Sequence, residues 1–205
     1  VSESPTWPEG AELNLGVVTE TAITVSWPAA IDTEPGVVYS VSLDGSDEGT
    51  TSETSYTFTG LTINTSYNLS VIARDTDGQE TAPLSLTAST VDLTAPSFPA
   101  SPVVELLEAS EISLAIEWSE ASDNVGVTSY RITLNESSTR TSPVASISIS
   151  GLEPLTEYTI QIQALDSADN ASSPITVTLM TLGTVSSVPP GDAEVDNTVV
   201  TNFDD

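Results

Sequence analysis

Two segments of the sequence concentrate side chains whose oxygens could bind a cation. They are Asp123 and Asn124 in SDNVG (122–126), and Asp166, Asp169 and Asn170 in ALDSADN (164–170). Calcium takes six to eight oxygen ligands at about 2.3–2.6 Å, and carboxylate and amide oxygens suit it. The same residue types are the usual occupants of turns, because they bond nearby backbone and tolerate unusual φ. The segments alone therefore leave calcium, another cation and plain turns as interpretations.

The sequence lacks most of the residue types on which enzyme catalysis commonly depends. The chain has no His, Lys or Cys, which removes Ser-His-Asp and Cys-His arrangements, Schiff-base lysines and the usual zinc sites. Neither a GxGxxG nor a P-loop pattern occurs. Counting does not exclude a glycosidase-like carboxylate pair, since acids are everywhere. The sequence nevertheless predicts a non-enzymatic protein, because its strands fill a small core with Ile, Leu, Val and Trp and leave no cleft.

The charge balance indicates which partners suit the chain. It has 30 acidic residues against three arginines, Arg74, Arg131 and Arg140, for a net charge of -27. No basic patch can be assembled to meet phosphates, so nucleic acid and anionic membranes are disfavoured partners. Divalent cations, high salt or a basic partner fit better. No apolar run reaches 18 residues, so no membrane insertion is expected, and the first residues lack the pattern of a signal peptide.

The sequence repeats itself with a fixed offset of 91 residues. The matching pairs are Trp27 and Trp118, Tyr39 and Tyr130, Gly60 and Gly151, Tyr67 and Tyr158, Asp75 and Asp166, and Pro83 and Pro174. An unbroken offset over so many anchors indicates two homologous units with almost no insertions. The period is that of a whole small domain.

Each unit is predicted to be built of short strands in which apolar and polar residues alternate. The predicted strands are 23–27, 39–43, 67–73 and 84–88 in the first unit, and 114–118, 130–134, 158–164 and 175–179 in the second. Alternation with a period of two gives each sheet one dry and one wet face, which predicts a two-sheet sandwich. The fold class is therefore all-β.

Several motifs carry a resemblance to a known family. They are Trp27 and Trp118, the turns GLTINTSY (60–67) and GLEPLTEY (151–158), and the segments WSEASDNVGVTSYRI (118–132) and ALDSADNASSP (164–174). Together they resemble tandem fibronectin type III domains of secreted or surface bacterial or archaeal proteins. The resemblance implies two immunoglobulin-like, seven-stranded sandwiches. It also implies a tyrosine corner in each, in which a Tyr hydroxyl reaches back to nearby backbone.

The resemblance also implies where the acidic loops lie. In the type III fold the two acidic loops of the second unit meet at its N-terminal pole, which the linker carrying Asp92 also reaches. The expected calcium ligands at the domain junction are therefore Asp92, Asp123, Asn124, Asp166, Asp169 and Asn170. The first unit offers a weaker set at its own pole: Asp32, Glu34, Asp75 and Asp77.

The predicted boundaries are a first domain over 1–90, a linker over 91–98, a second domain over 99–182 and an acidic tail over 183–205. The Pro-containing linker should limit rotation between the domains. The tail contains TVVTNF (198–203), which has strand character. It is interpreted either as a linker into a further module or as a strand that docks on a neighbouring sheet edge.

Two surface features remain. Asn64, Asn68, Asn135 and Asn170 each have Ser or Thr two residues later, so they are candidate glycosylation sites. A glycan on Asn170 would compete with its role as a calcium ligand. Trp7 lies outside the repeated tryptophans and is expected to pack on the edge of the first domain, with sugar binding as the alternative.

The sequence thus predicts a secreted or cell-surface structural protein without catalytic residues. One interpretation is an adhesive or self-assembling filament subunit, stiffened by calcium, whose partners are other copies of itself, other extracellular proteins or glycans. The alternative is a pair of spacer domains from a larger secreted adhesin or polysaccharide-degrading enzyme.

Overall fold

The computed structural model describes residues 3–183 and shows two all-β domains in tandem. The first domain contains β1 (Asn14–Val18), β2 (Ala22–Ser26), β3 (Val38–Leu43), β4 (Ser46–Thr51), β5 (Ser55–Thr59), β6 (Ser66–Arg74) and β7 (Leu84–Ser89). The second contains β8 (Val104–Ala109), β9 (Ser113–Trp118), β10 (Ser129–Leu134), β11 (Ser138–Ser142), β12 (Ser146–Ser150), β13 (Glu157–Leu165) and β14 (Ile175–Met180). The predicted tail over 183–205, with its docking strand at 198–203, lies outside the described residues from position 184 onward.

Each domain is a sandwich of a three-stranded and a four-stranded antiparallel sheet. The strand orders are β1-β2-β5 and β4-β3-β6-β7 in the first domain, and β12-β9-β8 and β11-β10-β13-β14 in the second. This confirms the predicted pair of seven-stranded sandwiches. Within residues 3–183 we find no helix that could cross a membrane.

The inward-facing residues of the two sheets form one core in each domain. Alternate positions of β6 and of β13 are buried, with Leu69, Val71 and Ala73 in the first domain and Ile160, Ile162 and Ala164 in the second. All eight strands predicted from alternation are present. The sequence shows the alternation because one face of each strand packs in the core and the other faces solvent.

The repeated aromatic residues occupy equivalent places. The Trp27 ring packs edge-on against Tyr39 with ring centroids 5.5 Å apart, and Trp118 against Tyr130 at 5.3 Å. The implied tyrosine corners are also confirmed. The Tyr67 hydroxyl accepts a 2.8 Å hydrogen bond from the Thr62 N–H. In the second domain the Tyr158 hydroxyl accepts one of 2.9 Å from the Glu153 N–H.

Residues just before each first strand are also part of the packing. Trp7 stacks on Tyr39 at a centroid distance of 6.0 Å, and its indole N–H donates a 2.8 Å hydrogen bond to the Ala82 carbonyl. Phe98, which is 91 positions later, packs near Tyr130 at 6.3 Å. The prediction that Trp7 packs on the first domain is therefore confirmed.

The linker is bonded to both domains. On the first-domain side, the Leu93 N–H and the Thr94 hydroxyl both donate to Glu20 Oε1, at 3.1 and 2.6 Å. On the second-domain side, Ser97 and Ser122 exchange two backbone hydrogen bonds of 2.8 and 2.9 Å. Asp92 lies between the end of β7 and these contacts, so its position is defined relative to the second domain.

Candidate cation site at the domain junction

Three separate segments of chain bring carboxylates together at the N-terminal pole of the second domain. Asp92 comes from the linker, Asp123 from the loop between β9 and β10, and Asp166 from the loop between β13 and β14. One carboxylate oxygen from each lies within 4.8 Å of those of the other two. The structure therefore brings together three of the six predicted ligands, and calcium binding by them stays a prediction.

Asp123 has one oxygen committed to its own loop and one left over. Its Oδ2 accepts 2.9 Å hydrogen bonds from the Val125 and Gly126 N–H groups. Gly126 has a φ of 136°, which favours glycine at this tight turn. The Asp123 Oδ1 atom is buried and has no hydrogen-bond partner. The loop thus holds the carboxylate rigidly and leaves one oxygen for another ligand.

Asp92 follows the same arrangement. Its side chain is only 6% exposed, and Oδ1 accepts a 3.2 Å hydrogen bond from the Thr94 N–H. The Asn124 amide lies at 3.5 Å from the same oxygen, which is the limit of a hydrogen bond. Asp92 Oδ2 is buried without a partner. A buried carboxylate oxygen without a partner is costly, because it loses its hydration and gains nothing in return.

Asp166 is held in its ionised form by its own loop. It is 3% exposed, and burial by itself disfavours the charge. Hydrogen bonds from the Asn170 side chain and from the Asn170 and Ala168 N–H groups outweigh burial and hold the pKa of Asp166 below its ordinary value. Asp166 is therefore a carboxylate at neutral pH.

No basic side chain compensates these charges. The chain has three arginines and no Lys or His. The one ion pair found among residues 3–183 joins Arg74 to Glu80, while Arg131 bonds to Gln163 and Arg140 to Ser138. Carboxylate oxygens within 4.8 Å of one another repel by on the order of 1–3 kcal/mol, for effective dielectric constants from that of water down to about 20. The cluster is therefore an uncompensated region of negative charge.

The other three predicted ligands have different positions. Asp169 is exposed, has a φ of 64° and lies outside the cluster. The Asn170 side chain donates hydrogen bonds to Asp166 Oδ2 and to the Asp92 carbonyl, at 2.7 and 3.1 Å. The Asn124 amide also faces Asp92 as a donor. Both asparagines thus support the carboxylates in this arrangement.

The weaker set predicted for the first domain is only partly assembled. Asp32 Oδ1 accepts from the Glu34 N–H, and Asp75 Oδ1 accepts from the Asp77 and Gln79 N–H groups. The Oδ2 atoms of Asp32 and Asp75 are buried without partners, as at the junction. The residue 91 positions before Asp92 is Val1, which has no oxygen in its side chain. Within residues 3–183, only the junction combines three acidic side chains in this way.

The candidate glycosylation sites differ in accessibility. Asn64, Asn68 and Asn135 are exposed. Asn135 Oδ1 nevertheless accepts a 2.9 Å hydrogen bond from the Thr159 N–H. Asn170 is half-buried with its amide nitrogen engaged in two hydrogen bonds. Glycans at these positions stay predictions, and Asn170 is the least accessible of the four.

Glu20, which lies in the turn between β1 and β2, is not among the residues predicted from the sequence. Its hydrogen bonds from the Thr94 hydroxyl and the Leu93 N–H lower its pKa below the ordinary value. Repulsion from the Asp123 carboxylate opposes this lowering of the Glu20 pKa. No motif marks Glu20, because its partner lies 74 residues along the chain.

The described architecture defines a class of modular β-protein in which immunoglobulin-like sandwiches follow one another along the chain. The chain belongs to the fibronectin type III family, since the sequence profile described as "Fibronectin type III domain" matches residues 7–89 and 99–178. A two-domain fibronectin type III segment of chicken tenascin, 19% identical, covers 87% of this chain and all of that chain with a TM-score of 0.45.

The relatives that resemble the sequence are bacterial enzymes. Exoglucanase B of Cellulomonas fimi is 34% identical over 87% of this chain, and chitinase A1 of Niallia circulans is 32% identical over 76%. Endoglucanase B of Cellulomonas fimi is 30% identical over 80% of this chain. The chain spans only 17%, 23% and 17% of the lengths of these three relatives. The similarity therefore concerns the tandem modules and a small part of each enzyme.

Proposed function

We propose that the two domains are a non-catalytic spacer of an extracellular polysaccharide-degrading enzyme. The single observation that carries this proposal is the match of both modules together to an exoglucanase at 34% identity over 87% of the chain. Chitinases and an alpha-amylase match parts of the same chain. This support favours the spacer interpretation over the filament or adhesive interpretation.

The structure of the modules suits such a role. Each domain has its own closed core, so it can fold and hold its length without its neighbour. Hydrogen bonds from both domains hold the short linker. The large net negative charge keeps the modules soluble beside an insoluble polymer.

The residues do not favour a sugar-binding role for the modules. Binding platforms for sugar present flat aromatic faces. Trp7 stacks on Tyr39, and Trp27 and Trp118 are buried in the cores. The proposed contribution is therefore mechanical: the pair sets the distance and the orientation between the parts of the enzyme that it joins.

A chimera tests the spacer function directly. This chain would replace the region of Cellulomonas fimi exoglucanase B that it matches, and a second chimera would carry a Gly/Ser linker of equal length as the matched control. We expect the first chimera to keep the parent's rate on insoluble glucan and the Gly/Ser control to lose part of it, with equal rates on a soluble substrate. Equal rates of the two chimeras on the insoluble polymer would overturn the proposal.

Light scattering behind size exclusion separates the spacer from a self-assembling subunit. A spacer is expected to elute as a monomer of 21.3 kDa at all concentrations. A mass well above that value, rising with concentration and lost on deletion of residues 195–205, would instead support the filament interpretation.

A further inference from the structure

The junction combines an acidic cluster with buried oxygens that have no partner. Asp92, Asp123 and Asp166 contribute oxygens within 4.8 Å of one another. Asp92 is 6% exposed, and its Oδ2 atom is buried and unpartnered, as is the Oδ1 atom of Asp123. The other carboxylate oxygen of each side chain accepts hydrogen bonds from backbone N–H groups, which fixes the unpartnered oxygens in place.

We propose that these three aspartates bind one calcium ion, which joins the linker to the second domain. The donors are all oxygens, and oxygen donors select hard cations over zinc or copper. Calcium tolerates irregular coordination by carboxylates and waters, whereas magnesium demands near-ideal octahedral geometry and gives up its waters reluctantly. Three carboxylates on three independent segments form an irregular set, which favours calcium.

Two asparagines beside the cluster orient its carboxylates. The Asn124 amide nitrogen lies 3.5 Å from Asp92 Oδ1. Its Oδ1 atom accepts a 3.1 Å hydrogen bond from the Val125 N–H, so both ends of the amide are engaged and the ligands are the three aspartates. Asn170 remains the hydrogen-bond donor that orients Asp166.

The mechanical consequence follows from the origin of the ligands. Asp123 and Asp166 belong to the second domain, and Asp92 belongs to the linker. On the other side, Glu20 of the first domain accepts two hydrogen bonds from the residues directly after Asp92. An ion that holds Asp92 therefore restricts the angle between the domains. This inference rests on the junction geometry alone and holds whether or not the chain is an enzyme spacer.

The first domain supplies an internal control for the experiment. Asp32 corresponds to Asp123 by the offset of 91 residues, and it also has a buried, unpartnered oxygen. Among residues 3–183 no third carboxylate joins it, and by the offset of 91 residues the sequence has Val1 where the second unit has Asp92. Asp32→Asn therefore removes the same type of carboxylate from the first domain, where we expect no calcium to bind.

Isothermal titration calorimetry of the intact, chelator-treated chain tests the site. Calcium chloride would be titrated into wild type, Asp92→Asn, Asp123→Asn and Asp32→Asn in buffer of moderate salt, with magnesium chloride as a second titrant. We expect one calcium per chain with a Kd of about 10⁻⁴–10⁻³ M or tighter, the range of extracellular calcium modules. Binding should weaken at least about tenfold in Asp92→Asn and Asp123→Asn, as removing a ligand requires, and stay unchanged in Asp32→Asn.

The alternative outcomes each overturn part or all of the proposal. Absence of saturable calcium binding tighter than millimolar in wild type, a measurement that needs no variant, overturns it entirely. Binding retained in both junction variants overturns the assigned position. Equal affinity for magnesium overturns the selection of calcium. Small-angle X-ray scattering adds a mechanical readout: calcium should narrow the distribution of interdomain distances in wild type and in Asp32→Asn, but not in Asp92→Asn.

Discussion

Glu20 accepts a 2.6 Å hydrogen bond from the Thr94 hydroxyl, which joins the first turn of one domain to the linker that enters the next. The same carboxylate oxygen accepts the Leu93 N–H. A linker that the sequence indicates only as Pro-containing is thus held at a defined point. The relative position of the domains depends on side chains as well as on the length of the linker.

The Glu20 contact should depend on pH. The Thr94 hydroxyl and the Leu93 N–H lower the pKa of Glu20 from its ordinary value of 4.5. Because the folded-state pKa is depressed, the contact stabilises the folded form above pH 4.5 and is lost as the pH falls through the folded-state pKa. The Leu93 amide resonance, followed by NMR in chelator, should titrate with a midpoint below 4.5. An unchanged titration of Leu93 in Glu20→Gln would contradict this assignment.

The tyrosine corners should contribute measurably to stability. Tyr67→Phe removes the acceptor of the Thr62 N–H, and we expect a loss of about 1–2 kcal/mol in the free energy of unfolding. Tyr158→Phe should have a similar effect on the second domain. The control is Tyr56→Phe, because the Tyr56 hydroxyl donates a longer, 3.2 Å hydrogen bond to the Glu48 carbonyl on the exposed edge strand β4. Urea unfolding measures all three, and equal losses would show that the corner has no special role.

Core and surface positions in the second domain should respond differently to truncation. Ile132 is fully buried between the sheets, so Ile132→Ala should cost about 2–5 kcal/mol through lost contacts and a cavity. Leu107 on β8 is 57% exposed, and Leu107→Ala should change stability by less than about 0.5 kcal/mol. Chemical denaturation followed by far-ultraviolet circular dichroism provides the comparison. Similar losses for the two variants would contradict the described packing.

Alternation in the sequence predicted the central strands and the edge strands β7 and β14, but not the edge strands β4 and β11. β6 and β13 each have three buried residues at every second position, separated by half-buried ones, which makes a period of two easy to detect. β4 and β11 are edge strands made mainly of Ser, Thr, Asp, Glu and Arg, with exposed residues at consecutive positions. Their strand structure comes from backbone pairing with β3 and β10, which leaves no periodic pattern in the side chains.

The candidate site was predicted in part because it depends on the topology of the family. Loop composition marked Asp123 and Asp166, and the family fold implied that the linker residue Asp92 reaches them. Composition did not distinguish Asp169, which is exposed, from Asp166, which is buried three residues earlier. That difference arises from a loop in which Asp169 adopts a positive φ while Asp166 accepts the loop's N–H groups. Such detail is set by backbone geometry and not by residue type.

Because of the charge cluster, we expect Asp92→Asn to stabilise the second domain without calcium and to make it less stable than wild type with calcium. In chelator, Asp92→Asn relieves repulsion with Asp123 and Asp166 and weakens one hydrogen bond from Thr94. The second domain should therefore gain about 1 kcal/mol in unfolding free energy. In saturating calcium, wild type gains the free energy of binding and the variant does not, so wild type should become the more stable protein.

Urea unfolding in chelator and in calcium measures this reversal in the order of stability of wild type and Asp92→Asn. Urea is chosen because it leaves the ionic strength unchanged. Asp47→Asn is the control, because Asp47 is an exposed acid on β4 and its removal changes the net charge equally. It should shift stability by less than about 0.5 kcal/mol in both buffers. Should Asp92→Asn be less stable than wild type in chelator, repulsion among the three carboxylates does not dominate the junction. Should its stability follow that of wild type in calcium, Asp92 does not bind the ion.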